Sequence, residues 1–314
     1  MLTTGEAKAQ DARKPPEREE NAMERRFDRA AEDVGNIVKL EHVNVRVADQ
    51  RLATLFYVAG LGFTRDPFIM VSTNNMWINM GGSQFHLPTG SPDVVRGVSG
   101  LVVPDRKSLL DRLAKVKGQL DGTKFSYAEH NDYVEATCPW GNRFRLHEPD
   151  RESFGPIVLG LPYVMFDVPE GAADGIARFY REVFATHVDV REDGEGRKAW
   201  VQSGSKQYLI FRETDQPLPA YDQHHIQLYI ADFSKPYRRL GELGIITIDT
   251  LEHEYRFNDI VDIETRKVLF TVEHEVRSMR HPLYGRPLIN RNPAQTNTDY
   301  HPGHDPLPHT MGWA

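Results

Sequence analysis

Four stretches of the chain share one alternation of apolar and polar positions. In "LEHVNVRVAD", which ends at Asp49, Val43, Val45 and Val47 fall on one face of an extended strand, and His42, Asn44 and Arg46 fall on the other. "RGVSGLVVPD", "GLPYVMFDVPE" and "QHHIQLYIAD" repeat the arrangement and end at Asp105, Glu170 and Asp232, acidic residues placed to cap a following helix. Amphipathic stretches do follow: "QRLATLFYVAG", "RKSLLDRLAKV", "GIARFYREVF" and "KPYRRLGELG". Short strand-like runs separated by turn residues complete each unit, as in "NMWINMGGSQFHL" and "KAWVQSGSKQYLIF". The pattern predicts one strand, one helix and two or three more strands, repeated four times.

The halves of the chain also resemble each other. "WINMGGSQFHL" from Trp77 aligns without a gap on "WVQSGSKQYLI" from Trp200, as an internal duplication requires. The expected organisation is a first paired-βαβββ domain over 37–150 and a second over 157–276. Residues 1–36, dense in both charges, read as a solvated, disordered tail with a short helix around "MERRFDRAAEDV". Residues 277–314, rich in Pro and Asn and without periodicity, read as an extended arm. Its Leu283, Tyr284, Leu288 and Trp313 are expected to dock on the body or on a second subunit, as a homodimer contact.

Composition narrows the partners. A formal charge of −7, from 38 basic and 45 acidic residues with no basic stripe, argues against nucleic acid and for a small-molecule substrate. The single cysteine, Cys138, leaves no intrachain disulfide and fits a reducing cytoplasm. No run approaches the length of a membrane span, so no membrane partner is expected. No G-x-S-x-G elbow, P-loop or G-x-G-x-x-G opening a helix is present.

The "EHVNVRVAD" opening, the "FYVAGLGF" helix exit, the "CPWGNRFRLHEP" closing strand and the four-module arrangement make residues 37–277 resemble the vicinal oxygen chelate superfamily. That group includes glyoxalase I, fosfomycin- and bleomycin-resistance proteins and extradiol dioxygenases. The resemblance implies an α+β fold in which four βαβββ modules pair into two curved mixed sheets. It also implies a divalent metal held by residues on the first and last strands of the modules.

Strand alternation selects the residues that can face such a site. His42 and Asn44 lie opposite the valines of their strand. His225, Gln227 and Tyr229 lie opposite Ile226, Leu228 and Ile230, so His225 shares the register of His42 while His224 falls on the wrong side. The equivalent positions in the other modules are Val98 and Tyr163, neither a usual ligand; Tyr163 is expected as a pocket wall or proton donor. His86 opposes Phe85 and Leu87. Where metal-binding relatives carry glutamate, Arg145 stands, suited to a substrate carboxylate or phosphate, with His147 or Glu148 as stand-ins. In "VLFTVEHEVRS" Glu273 and Glu275 share a face; Glu273 is favoured as the carboxylate, with His274 as alternative.

His42 and His86 therefore form one candidate metal pair, and His225 and Glu273 another. The sequence does not choose between them. Trp77, Trp200, Tyr229, Asn44 and Gln227 are expected substrate contacts, with Tyr163 and Arg145 catalytic. Two histidines and a carboxylate leave open positions on Fe(II) or Mn(II). The resemblance then implies a dioxygenase-like enzyme for an oxygen-chelating, catechol-like substrate. The alternatives are a metal-dependent isomerase or lyase and a metal-free binding protein of the bleomycin-resistance type.

Overall fold

The computed structural model describes residues 29–69 and 72–307. The first half of the expected tail helix, and Trp313, lie outside them; a 3-10 turn occupies Ala30–Glu32. The first module comprises β1 (Ile37–Asn44), α1 (Gln50–Ala53, continued by a π-helical stretch Thr54–Gly60), β2 (Thr64–Arg65), β3 (Asn75–Met80) and β4 (Ser83–Pro88). The second comprises β5 (Gly97–Val102), α2 (Arg106–Val116), β6 (Ser126–Glu129), β7 (Val134–Thr137) and β8 (Arg143–His147). A short helix, α3 (Arg151–Phe154), precedes the third: β9 (Gly160–Pro169), α4 (Ala173–Phe184), β10 (Val188–Asp193), β11 (Gly196–Gln202) and β12 (Tyr208–Thr214). The fourth comprises β13 (His225–Ile230), α5 (Ser234–Leu243), β14 (Ile246–Leu251), β15 (Glu254–Val261) and β16 (Val268–Ser278).

The acidic caps hold for the first two helices. Asp49 accepts from the amides of Arg51 and Leu52, and Asp105 from that of Ser108. The third helix departs from expectation: Glu170 caps nothing, and the amide of Ala173 donates instead to Glu213 on β12.

Two eight-stranded mixed sheets result, but their pairing differs from the sequence expectation. The first sheet runs β14-β15-β16-β13-β1-β4-β3-β2 and joins the first module to the fourth; the second runs β10-β11-β12-β9-β5-β8-β7-β6 and joins the second to the third. Neither 37–150 nor 157–276 is thus a self-contained pair. The reason is physical: alternation sets which face a strand buries, and any of the four first strands offers the same apolar face to a partner. The β5–β9 join also demands a glycine, since Gly97 has φ +151° and a Cβ there would lie 1.9 Å from the Met165 carbonyl oxygen.

The apolar faces of both sheets turn to one core, with helices between them. Phe56 and Tyr57 of α1 pack on Phe144 of the second sheet, and Tyr57 also on Phe85 of the first. Tyr180 of α4 likewise touches Phe211 of the second sheet and His274 of the first. His274 is therefore a core residue, hydrogen-bonded to Tyr180 and stacked 4.2 Å from Phe257. The polar face of each sheet looks away from this core, so the two polar faces lie on opposite sides of it.

The arm begins after Ser278, because β16 extends through Arg277. It packs on the edge of the first sheet. Asn79 donates to the Ile289 carbonyl, Asn290 exchanges hydrogen bonds with Gly81, and Arg286 pairs with the fully buried Asp66 at 2.7 Å.

Candidate metal centre

Register across the first sheet builds the site row by row. One row of facing residues reads Gln84, His42, Gln227, Glu275 and Arg256 across β4, β1, β13, β16 and β15. The next reads Trp77, His86, Asn44, His225 and Glu273 across β3, β4, β1, β13 and β16. Same-face neighbours in adjacent strands stand within side-chain reach. Donor atoms of His42, His86 and His225 accordingly all lie within 4.8 Å of one another.

The two candidate pairs thus belong to one site, shared between the first and last modules. His42 is fully buried, and neither of its ring nitrogens has a hydrogen-bond partner. Its ring meets Trp77 edge-on at 5.0 Å and His225 at 5.8 Å. Burial drives its imidazolium well below the usual range, against the attraction of Glu275, so the ring is a neutral base. His86 stacks on Trp77 at 3.9 Å and is likewise pushed down, to about 3, by burial. Asn75 Oδ1 lies 2.7 Å from its Nε2, which fixes that nitrogen as the N–H donor. The lone pair is then on Nδ1, which accepts from the Asn44 amide at 2.6 Å, so Asn44 must turn aside for His86 to hold a cation.

His225 lies between two carboxylates. Its Nδ1 is 3.3 Å from Glu273 and its Nε2 3.3 Å from Glu275. Glu275 also reaches His42 Nε2 at 3.9 Å, whereas Glu273 turns to Arg256 at 2.8 Å. Glu275 is therefore the carboxylate facing the histidines, and Glu273 orients His225 from its other nitrogen. Burial opposes ionisation of Glu275, but the neighbouring His225 and the charges of Arg277 and Arg256 outweigh it and hold the carboxyl well below the usual range. The lattice around it has four carboxylates, Glu41, Glu254, Glu273 and Glu275, against the guanidiniums of Arg256 and Arg277 and the ammonium of Lys39. One negative charge is left over. Partly exposed Asn75, His86 and Glu273 form the solvent side of the cluster.

The donor set fits a divalent cation. Three imidazoles converge, an orphaned buried nitrogen lacks any other use, and the surrounding charge is short of one positive partner. Gln227, fully buried with neither amide atom partnered, adjoins His42 and Glu275. Tyr229 lies further along the same face, under Tyr284 of the arm at 4.8 Å.

The other expected site residues are elsewhere. Tyr163, Arg145 and Trp200 stand on the outward face of the second sheet, across the core from the histidines. Tyr163 hydrogen-bonds His147 at 2.9 Å and Arg145 pairs with Glu195 at 2.7 Å. Neither touches the cluster, because their modules pair with each other. Sequence reasoning missed Glu275 as the facing carboxylate and also missed Arg256, Arg277 and Asn75. The alternation of "EYRFND" and "EHEVRS" carries the signal for the first three, since Glu254, Arg256, Glu273, Glu275 and Arg277 all oppose apolar neighbours. A cavity of about 770 Å³ lies apart from the cluster, between the α1 exit and the arm, lined by Phe63, Arg112, Arg291 and Tyr300.

No protein-family profile matches the chain, and no curated protein matches its sequence. Solved structures do match. Glyoxalase I from Zea mays aligns with a TM-score of 0.56 at 15% identity, covering 76% of this chain and 92% of that one. A candidate dioxygenase from Bacillus subtilis aligns with a TM-score of 0.52 at 15% identity, covering 78% and 86%. Two mixed sheets built from four βαβββ modules, matched at this level over most of both chains, give the protein the vicinal oxygen chelate fold.

Proposed function

We propose that the protein is a metal-dependent enzyme whose Fe(II) or Mn(II) is held by His42, His86, His225 and Glu275, and that it acts on a small substrate with adjacent oxygens, in a dioxygenase-like reaction. The observation that carries this reading is His42, fully buried with both ring nitrogens unpartnered beside two further imidazoles. An unmet buried polar group costs about 1–3 kcal/mol, and binding a cation offsets it. A bound ion of this class supplies Lewis acidity and open positions for chelating oxygens.

The chain's own residues divide the remaining tasks. Glu273 sets the ring of His225, and Asn75 sets the tautomer of His86. Trp77 walls the cluster on the His86 side, and Gln227 offers an amide to a ligand oxygen beside His42. A proton-shuttling isomerisation needs a carboxylate free to act as base. Here Glu273 and Glu275 are both held by Arg256, which favours oxidative chemistry over the isomerase or lyase reading.

Elemental analysis of tag-free protein tests this. One equivalent of iron or manganese is expected in the wild type, with none in His42→Ala or His225→Ala. Metal-free wild-type protein that stays empty in excess Fe(II) and Mn(II), yet binds an aromatic ligand tightly, would instead make it a sequestering protein.

A further inference from the structure

The outward face of the second sheet carries chemistry that the metal cluster does not use. Two rows of facing residues cross it. One reads Tyr208, Tyr163, Gly100 and Arg145 over β12, β9, β5 and β8; the other reads Trp200, Ile210, Met165 and Val98 over β11, β12, β9 and β5. Val98, Met165 and Ile210 form an apolar cluster of their own, separate from the main core, with half-buried Tyr163, Trp200 and Tyr208 around it. Gly100 makes room for the Tyr163 ring: a Cβ there would lie 2.1 Å from it.

Polar capacity on this face is one-sided. The indole Nε1–H of Trp200 and the Nε–H of Arg145 are buried donors without acceptors. His147 Nδ1 sits 3.3 Å from the Asp132 carbonyl and donates to it, so its Nε2 accepts from the Tyr163 hydroxyl at 2.9 Å. What covers Trp200 is movable: the exposed Arg191 lies over its ring at 5.3 Å.

We infer that this face is a second, metal-independent site for a planar aromatic ligand bearing acceptor oxygens, such as a carboxylate. The rings of Tyr163, Trp200 and Tyr208, backed by the buried Val98, Met165 and Ile210, would take the flat part of the ligand, and the two unpaired donors its oxygens. The site does not depend on the metal reading, since no residue is shared.

Calorimetric titration of chelator-treated protein with 1-naphthoate tests it. One equivalent is expected to bind, with cyclohexanecarboxylate far weaker. Trp200→Leu and Arg145→Met should each weaken binding about tenfold, the loss of one buried contact. His42→Ala should bind as wild type. Trp200→Phe keeps a ring and the fold but lacks the N–H, and should weaken binding by about threefold or more. Absence of naphthoate binding, equal binding of the saturated acid, or loss in His42→Ala with none in Trp200→Phe would overturn the inference.

Discussion

The rings of His42 and His225, contributed by opposite ends of the chain, stand 5.8 Å apart because β1 and β13 are antiparallel neighbours. Neither half of the chain can hold this site alone. A fragment ending near residue 155 leaves β1 without β13 and β5 without β9, exposing two central strand edges. Such a fragment is expected to be unfolded or aggregated by circular dichroism and light scattering. A soluble, monomeric, folded fragment would argue against the interleaved pairing.

Glu275 and Glu273 should differ in kind. Glu275→Gln removes the facing carboxylate and its ion pairs to Arg256 and Arg277, leaving three carboxylates against three cations, and should abolish metal binding. Glu273→Gln keeps the facing set and disturbs only the orientation of His225, which should weaken metal binding by about 10–100-fold. Metal titrations alongside urea unfolding separate the two; equal behaviour of both variants contradicts the assignment.

Acid should destabilise the metal-free protein through buried imidazoles. Burial pushes His274 down to about 3, against an ordinary value of 6.5. Between these values the unfolded chain binds a proton that the folded chain refuses. Stability is therefore full above about pH 6.5 and falls as pH drops toward 3, by at most about 1.4 kcal/mol per pH unit from this residue. His86, also held at about 3 by burial, contributes in the same direction. Urea midpoints at pH 7, 6, 5 and 4 should decline, and His274→Phe should flatten the slope. An unchanged slope in that variant would show that His274 is not the group responsible.

The arm should matter for stability. Asp66 is fully buried, and Arg286 is its one ion-pair partner among the described residues. Arg286→Ala leaves that carboxylate without its charge partner, held by the amides of Phe68 and Ile69 and by Gln84, and the melting temperature should fall by about 2–4 °C per kcal/mol lost. Calorimetry of Arg286→Ala checks this, and an unchanged melting temperature would mean that the arm is dispensable to the body.

Much of the site was legible as parity. The alternation in "HVNVRV" and "HIQLYI" put His42, His225 and Gln227 on the face opposite the core, and "QFHL" did the same for His86. Alternation says nothing of which strand lies alongside, so the sequence offered two half-sites where the fold makes one. The count back from the acidic caps likewise put Tyr163 at the position equivalent to His42 without telling which sheet it belonged to. Glu273 and Glu275 share a face, and only the register of β16 on β13 shows that Glu275 lies level with Gln227 and Glu273 with His225.

The most direct test of a single site shared by the first and last modules is anomalous scattering, recorded above the iron and manganese edges from crystals grown with each metal. The account predicts one strong peak per chain, bounded by His42, His86, His225 and Glu275, that is absent from His42→Ala crystals. A peak bounded by residues of one module alone, or none at this cluster while metal is bound elsewhere, would contradict it.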